Sequence, residues 1–373
     1  MKRCSPLALI ALAACAGSPE PVTTCGGPVL ERTIVVLETD YQTSALGRIA
    51  GGCLTEEPPD VVLGGDVNLL AAGGRAWAGI NEEGTLRAVD GTTLALGPRL
   101  DAYAGTLGEG GSAHGIYGVD VDAAGDLWVS RDDAGSVAIL KADGTPSATI
   151  DLSDLDPEDG VPDMNGILLA DGKAFVAVGR LAYPATGETV VKPRGSGLLA
   201  VIDAAERTRL GTIDLKGRNP VHALIPTDAS MEAIVVATAG LVDQKEKGEG
   251  IYRVPLQIGG TAELLVNEDD LGGSVSELVW ASDHEAYAIV MGDVPGVNPT
   301  TVVAIDPAQK TVTPLRKADA FVHGGIVLTD EWVVVGDHTP GAAKVLFFHR
   351  GDGAAREIPA SVLRPFALVA LPP

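Results

Sequence analysis

One strand-turn-strand phrase returns six times, Gly and Pro make up about a fifth of the chain, and the C-terminus ends on a lone strand while the N-terminus lacks one. Together these predict an all-β protein, a β-propeller of seven four-stranded blades closed by the C-terminal strand joining the N-terminal ones. The phrase opens blade 1 as "DVNLLAAGGRAWAGI" from Asp66, blade 2 as "HGIYGVDVDAAGDLWVS" from His114 and blade 3 as "MNGILLADGKAFVAVG" from Met164. It opens blade 4 as "PVHALIPTDASMEAIVVA" from Pro220, blade 5 as "VSELVWASDHEAYAIVM" from Val275 and blade 6 as "VHGGIVLTDEWVVVG" from Val322. Turns of Gly, Asp and Ala between apolar runs are what an antiparallel meander needs. The outer halves recur too, as in "GSVAILKADGTPSATIDL" and "TTVVAIDPAQKTVTPL". "RPFALVALPP" then reads as an innermost strand without followers, and "RTIVVLETD", "SALGRIA" and "DVVLG" as three strands without an innermost one. Joining them makes blade 7 and leaves no free sheet edge. The organisation expected is a signal at 1–14, a flexible tether at 15–28 and a single propeller domain at 29–373.

The 373 residues hold 47 glycines and 24 prolines against 27 basic and 50 acidic side chains, a formal charge of -23. Phosphate backbones are bound through Lys and Arg, so nucleic acid is excluded as a partner. Aromatic residues are 4% of the chain, too few for extensive base stacking. Past the signal, no apolar run approaches the roughly 18 residues of a membrane span.

Lys2 and Arg3 precede an apolar run from Leu7 to Ala14, the layout of a bacterial export signal. Leu12-Ala13-Ala14-Cys15 resembles the lipobox of bacterial lipoproteins. That resemblance implies cleavage before Cys15, lipidation of its thiol, and attachment to a membrane through the lipid anchor. Ala16 after the Cys, by resemblance to the enteric sorting rule, implies the outer membrane of the cell envelope. An ordinary secretory signal that happens to contain a Cys is the alternative. Cys4 leaves with the signal, so Cys25 and Cys53 are expected to pair as a disulfide outside the cytoplasm. The competing two-thiolate metal site lacks nearby His or further Cys.

"GLLAVIDAAERTRLGTIDLKGRNPVHAL" from Gly197 and "TTVVAIDPAQKTVTPL" from Thr300 resemble the YVTN-type propeller repeats. "GIYGVDVDAAGDLWVSRDDAGSVAIL" from Gly115 is similar to blades of the SMP-30 and streptogramin-lyase group. The first resemblance implies a fold and leaves activity open. The second implies, for hydrolases, axial carboxylates and Asn around calcium, and for the lyase a His and Glu near magnesium, which His323 and Glu277 would imitate.

Aligning the blades on their innermost strands puts Asn68, His114, Asn165, His222, Glu277 and His323 at one equivalent rim position, with Pro365 or Phe366 in blade 7. Three of the six His in the chain fall on this ring. His114, His222 and His323 are therefore candidate ligands of a divalent metal ion such as zinc, copper or nickel, with Glu277 as fourth ligand or base. A solvated polar channel mouth is the competing reading. Long loops are expected on the same face, carrying Arg180, Tyr183, Lys192 and Arg194 in blade 3, "GLVDQKEKGEG" from Gly240 in blade 4, "GDVPGVNPT" from Gly292 in blade 5, and Asp337 and His338 in blade 6.

Weaker motifs carry less. Asp120, Asp122 and Asp126 lie in a turn similar to a calcium loop but lack its terminal Glu, and "DLSDLDPEDGVPD" from Asp151 is expected to be a solvated acidic loop. Neither a Gly-x-Ser-x-Gly elbow nor a phosphate-binding Gly-Lys-Ser/Thr loop occurs. No catalytic residue is assigned. The first functional reading is therefore a cell-envelope lipoprotein displaying its propeller as a non-catalytic scaffold that binds a small-molecule, metal or protein ligand at the channel mouth. The alternatives are a metal-dependent hydrolase or lyase and a periplasmic metal-binding protein.

Overall fold

The computed structural model describes residues 20–58, 63–104, 115–183, 191–228, 230–238, 248–292 and 297–373, with the side chains of 222 and 223 excepted. Seven antiparallel sheets stand around one axis, each running from an innermost to an outermost strand. Blade 1 is Val67–Ala72, Arg75–Ile80, Thr85–Val89 and a short Leu100–Asp101. Blade 2 is Ile116–Val121, Leu127–Arg131, Ser136–Leu140 and Pro146–Asp151. Blade 3 is Met164–Ala170, Lys173–Val178, Leu198–Asp203 and Thr208–Asp214, with a two-stranded ribbon, Leu181–Ala182 against Lys192–Pro193, inserted midway. Blade 4 is Pro220–Pro226, Ala233–Thr238, Gly250–Pro255 and Glu263–Asn267. Blade 5 is Ser274–Ser282, Glu285–Met291, Thr300–Asp306 and Thr311–Lys317. Blade 6 is His323–Leu328, Trp332–Asp337, Lys344–His349 and Ala355–Pro359.

Blade 7 closes the ring as the termini predicted. Arg364–Ala370 pairs antiparallel with Ile34–Thr39, from Ile34 opposite Ala370 to Thr39 opposite Arg364. Two details differ from expectation. The outer strand is Cys53–Glu56, not the "DVVLG" run, of which 60–62 lie outside the described residues. The expected tether at 15–28 also contributes Val22–Cys25 as a fifth, outermost strand. The reason is covalent: Cys25 sits opposite Cys53 in that pairing and the two form a disulfide, which holds the segment on the sheet edge. Closing a loop of this size is worth about 3 to 4 kcal/mol in the chain-entropy view. The signal and Cys15 lie outside the described residues.

The strands are apolar on both faces because each blade packs against two others. Seven clusters of buried apolar side chains lie one between each adjacent pair, including Trp128, Val176 and Ile202 between blades 2 and 3, and Ile34, Val334 and Phe347 between blades 6 and 7. Each fully buried aliphatic side chain contributes roughly 1.5 to 3 kcal/mol. Near the axis the inner strands approach too closely for side chains. A Cβ on Gly118 would stand 2.5 Å from Ser130 Oγ and 2.8 Å from the Asn165 carbonyl, so glycine is required there.

In a four-strand meander the first strand begins, the second ends, the third begins and the fourth ends on one face. All connections between blades therefore emerge there with the loops joining second to third strands. This face is the channel mouth.

Candidate functional site at the channel mouth

The described ring residues are held by the scaffold more than aimed at a common point. The Asn68 amide donates to the Ile116 carbonyl of the next blade at 2.8 Å. Asn165 and Glu277 are half-buried, and Glu277 follows a register shift in its strand. His323 is 1% exposed, with Nδ1 3.0 Å from Thr300 Oγ1. Thr300 Oγ1 donates to the Ala320 carbonyl, so it accepts from the imidazole, which fixes the Nδ1–H tautomer and leaves Nε2 without a partner. His114 and the His222 side chain lie outside the described residues. Among the described residues no three His, Cys, Asp or Glu side chains converge as metal ligands. With no such group, the described axial residues do not assemble the calcium set implied by the hydrolase resemblance.

The other acidic motifs are structural. Asp122 accepts from Ala124 N, Asp126 N and Trp128 Nε1, and Asp126 is bridged to Lys141 at 2.7 Å and Arg207 at 2.9 Å. The 151–163 segment is mostly exposed or half-buried, as an acidic surface loop is expected to be, and its carboxylates are paired: Arg209 takes Asp154, and Arg194 gathers the buried Asp156 with Glu158 and Asp159.

The mouth itself is chemically uneven. Nine large apolar or aromatic side chains are exposed among the described residues, and five, Tyr41, Tyr117, Tyr183, Val297 and Phe321, are on this face.

On the side of blades 6 and 7, four rings stand in continuous contact. Phe321, before the first strand of blade 6, meets His338 edge-on at 5.3 Å; His338 meets Phe366 at 5.7 Å; Phe366 meets Tyr41 at 5.6 Å. Inside the ladder His338 is buried and Phe366 half-buried, and the end rings, Phe321 and Tyr41, are exposed. His338 is 4% exposed with Nε2 unpartnered, and burial lowers its pKa to about 4, so the ring is neutral at physiological pH. Burial likewise lowers His323. Beside the ladder opens a groove of about 600 Å³ lined by Asp40, Lys344, Glu357, Ser361 and Arg364. Lys344 is tied to Glu357 at 2.9 Å. The Arg364 guanidinium, close enough to influence Tyr41 and His338, has no ion-pair partner among the described residues. The groove's floor is fixed by Glu56, which accepts from Ser361 N, Ser361 Oγ and Val362 N, and by Glu38, whose pKa is raised well above the usual range by burial and the adjacent Glu56 charge.

On the side of blades 2 and 3 the chemistry is acidic. Asp132 and Asp133 follow the second strand of blade 2, Asp163 precedes the first strand of blade 3, and Tyr183 follows the inserted Leu181–Ala182 strand. Arg131, fully buried, lies 5.0 Å over the Tyr103 ring, whose hydroxyl donates to Asp133. Burial, then the Asp133 charge, pushes Asp132 up to about 6. Burial, with the Asp132 charge adding to it, pushes Asp163 up to about 7 against the lowering effect of the Leu181 N–H. Tyr41 and Asp163, one in each half of the mouth, sit at φ 67° and 52°, a left-handed conformation that costs an L-residue roughly 1 to 2 kcal/mol.

A seven-bladed propeller with a polar, aromatic-bearing mouth is therefore the class that fold and site define. Solved structures place the chain in the same fold. A periplasmic gluconolactonase from Pseudomonas aeruginosa superposes with a TM-score of 0.56 at 15% identity, over 91% of this chain and 99% of that one. A Synechocystis apocarotenoid oxygenase mutant gives 0.57 at 11%, over 94% and 96%, and a dihydro-heme d1 dehydrogenase gives 0.52 at 14%, over 93% and 68%. The sequence matches no protein-family model and no curated protein. At such identities three different chemistries on one architecture establish the fold alone.

Tyr183 and His338, expected in loops of the mouth face, follow mouth-side strand ends. Phe366 is one of the two blade 7 positions aligned with the ring; Asp132, Asp163, Phe321, Tyr41 and Arg364 were missed, and the signal available was their position: each lies within three residues of a mouth-side strand end.

Proposed function

We propose that the protein is a cell-envelope lipoprotein, anchored through Cys15, that displays its propeller as a binding scaffold and takes a small hydroxylated organic anion on the blade 6–7 side of the channel mouth. The observation that carries this reading is the Phe321–His338–Phe366–Tyr41 ladder beside Arg364, which has no ion-pair partner among the described residues. Ring faces receive the C–H surface of a sugar-like ligand, and a guanidinium receives a carboxylate in fork geometry. Calorimetric titration of gluconate, glucuronate and uncharged glucose against wild type, Arg364→Ala and Tyr41→Ala tests it. The anions are expected to bind at least tenfold more tightly than glucose, and Arg364→Ala to remove the difference. Equal binding of all three, or none, refutes the reading. Labelling with a radioactive fatty acid, lost in Cys15→Ser, tests the anchor.

A second reading, a lactone hydrolase, is favoured by the raised Asp132 and Asp163 pair, since carboxyls titrating near neutrality suit acid-base work, and by the gluconolactonase among the similar structures. Hydrolysis of gluconolactone with a pH profile that breaks between 6 and 7 and disappears in Asp163→Asn would support it.

A further inference from the structure

The ring closes where the chain passes from the last strand of blade 6, Ala355–Pro359, to the innermost strand of blade 7, Arg364–Ala370. The connecting residues 360–363 belong to no strand. The Ala360 N–H goes to the Ala343 carbonyl, but those of Ser361 and Val362, together with Ser361 Oγ, go to a single carboxylate, Glu56, at 2.8, 2.9 and 2.7 Å. Glu56 ends the outer strand Cys53–Glu56 of the same blade. One side chain from the N-terminal part of the chain therefore pins the C-terminal side of the seam.

Blade 7 supplies a second carboxyl at the same spot. Glu38 is opposite Ala45, and Gly47, two residues on, is opposite Glu56, so both glutamates leave one face of the sheet with only a glycine between them. A Cβ on Gly47 would stand 3.1 Å from Glu38 Oε1, which places that carboxyl over the glycine. Facing Cβ atoms on neighbouring strands are about 5 Å apart, so Glu56 is within reach. Both glutamates are fully buried, and neither oxygen of Glu38 accepts a hydrogen bond. Among the described residues no cation answers it. Arg48 leaves the opposite face, in register with Val35, and Arg364 lies toward Tyr41 and His338. On blade 6, packed against this face, Lys344 is tied to Glu357, Asp337 accepts from Thr339, and His323 turns to Thr300. Asp40 accepts from Gln42 and Thr43. A second ionised carboxylate buried here would be costly, whereas a protonated one donates to its neighbour. Glu56, with three donors, stays ionised; Glu38 keeps a proton and gives it to Glu56, consistent with the rise that burial and the Glu56 charge impose on it.

We propose that Glu38 and Glu56 form a proton-operated latch on the seam of the propeller: sharing one proton, they hold residues 361–363 down, and release of that proton lets the segment lift. Ser361 is exposed and Val362 and Leu363 are half-buried, so a single layer of chain separates the pair from water. Lifting it hydrates both carboxyls, and Glu38 then ionises as an ordinary glutamate does. Opening therefore expels one proton and becomes more favourable as pH rises above the usual carboxylate range, until Glu38 ionises even when covered. The same three residues line the groove of blades 6 and 7, so the latch also sets that groove's wall, whatever the groove binds.

The experiment follows backbone hydrogen exchange of residues 361–363 in the full chain from pH 6 to pH 9, divided at each pH by the intrinsic exchange rate. In wild type the opening so measured is expected to rise about tenfold per pH unit, the signature of one proton released per opening. In Glu38→Gln, whose amide donates to Glu56 at every pH, it is expected to stay flat. Val334, in the second strand of blade 6, is the control for opening of the whole body. Should Glu38→Gln not fold, infrared spectra of wild type with carbon-13-labelled glutamate carry the test, since a protonated glutamate carbonyl is expected at pH 7. The proposal is overturned by a flat wild-type profile, by a Glu38→Gln profile as steep as wild type's, or by glutamates that are all ionised at pH 7.

Discussion

Replacing Arg131 by Met tests how the core of blade 2 builds the acidic half of the mouth. Arg131 is fully buried at the end of the second strand, immediately before Asp132 and Asp133. Its Nε and Nη2 donate to the Ser136 carbonyl at 3.1 and 2.9 Å, Nη2 also donates to Ser136 Oγ at 2.5 Å, and Nη1 reaches the Ala102 carbonyl at 3.5 Å. Methionine fills most of the volume but donates nothing. Hydrogen bonds to a charged group are worth about 1.5 to 3 kcal/mol each, and a buried cation–π contact about 2. Against these stands the recovered cost of desolvating the guanidinium, so the net loss expected is about 3 to 5 kcal/mol. Urea unfolding followed by tryptophan fluorescence measures it, since Trp128 lies in the same strand. Arg131→Lys should fall between, because an ammonium keeps the charge without the fork. A loss below about 1 kcal/mol for Arg131→Met would refute the view that this guanidinium organises the loop.

Cys25→Ser with Cys53→Ser should lower unfolding free energy by about 3 to 4 kcal/mol relative to the oxidised protein, and wild type under reductant should match the variant. Glu38→Gln should raise the melting temperature at pH 8 and leave it unchanged near pH 4. The folded carboxyl titrates above its unfolded value, so the folded state holds a proton there and loses stability as pH rises past the unfolded pKa. The same sign holds for Asp163→Asn, whose melting temperature should vary less than wild type between pH 5 and pH 8 in the absence of ligand.

The blades were legible because period-two apolar runs and Gly- or Asp-bearing turns are local, and a propeller repeats them. "RPFALVALPP" could be assigned to blade 7 because an innermost strand without a sheet has one place to go. The "DVVLG" run failed as the outer strand because composition does not reveal the disulfide's pull on register: Cys25 opposite Cys53 selects Cys53–Glu56 instead. The site was harder. The axial alignment gave His323 its place in the strand, but a strand position does not say where an imidazole points, and this one turns into the Thr300 hydroxyl. The ladder from Phe321 to Tyr41 joins residues nearly three hundred positions apart that meet only because the ring closes. Asp163 read as one member of an acidic run, and only the arginines that claim its neighbours single it out.

The central claim is that the channel-mouth face is where this propeller binds. Crystals soaked with gluconate test it most directly. The account predicts ligand density at the Arg364 guanidinium, against the Tyr41 and Phe366 rings. Density at the opposite face, or at the outer blade edges with the mouth unoccupied, would contradict it.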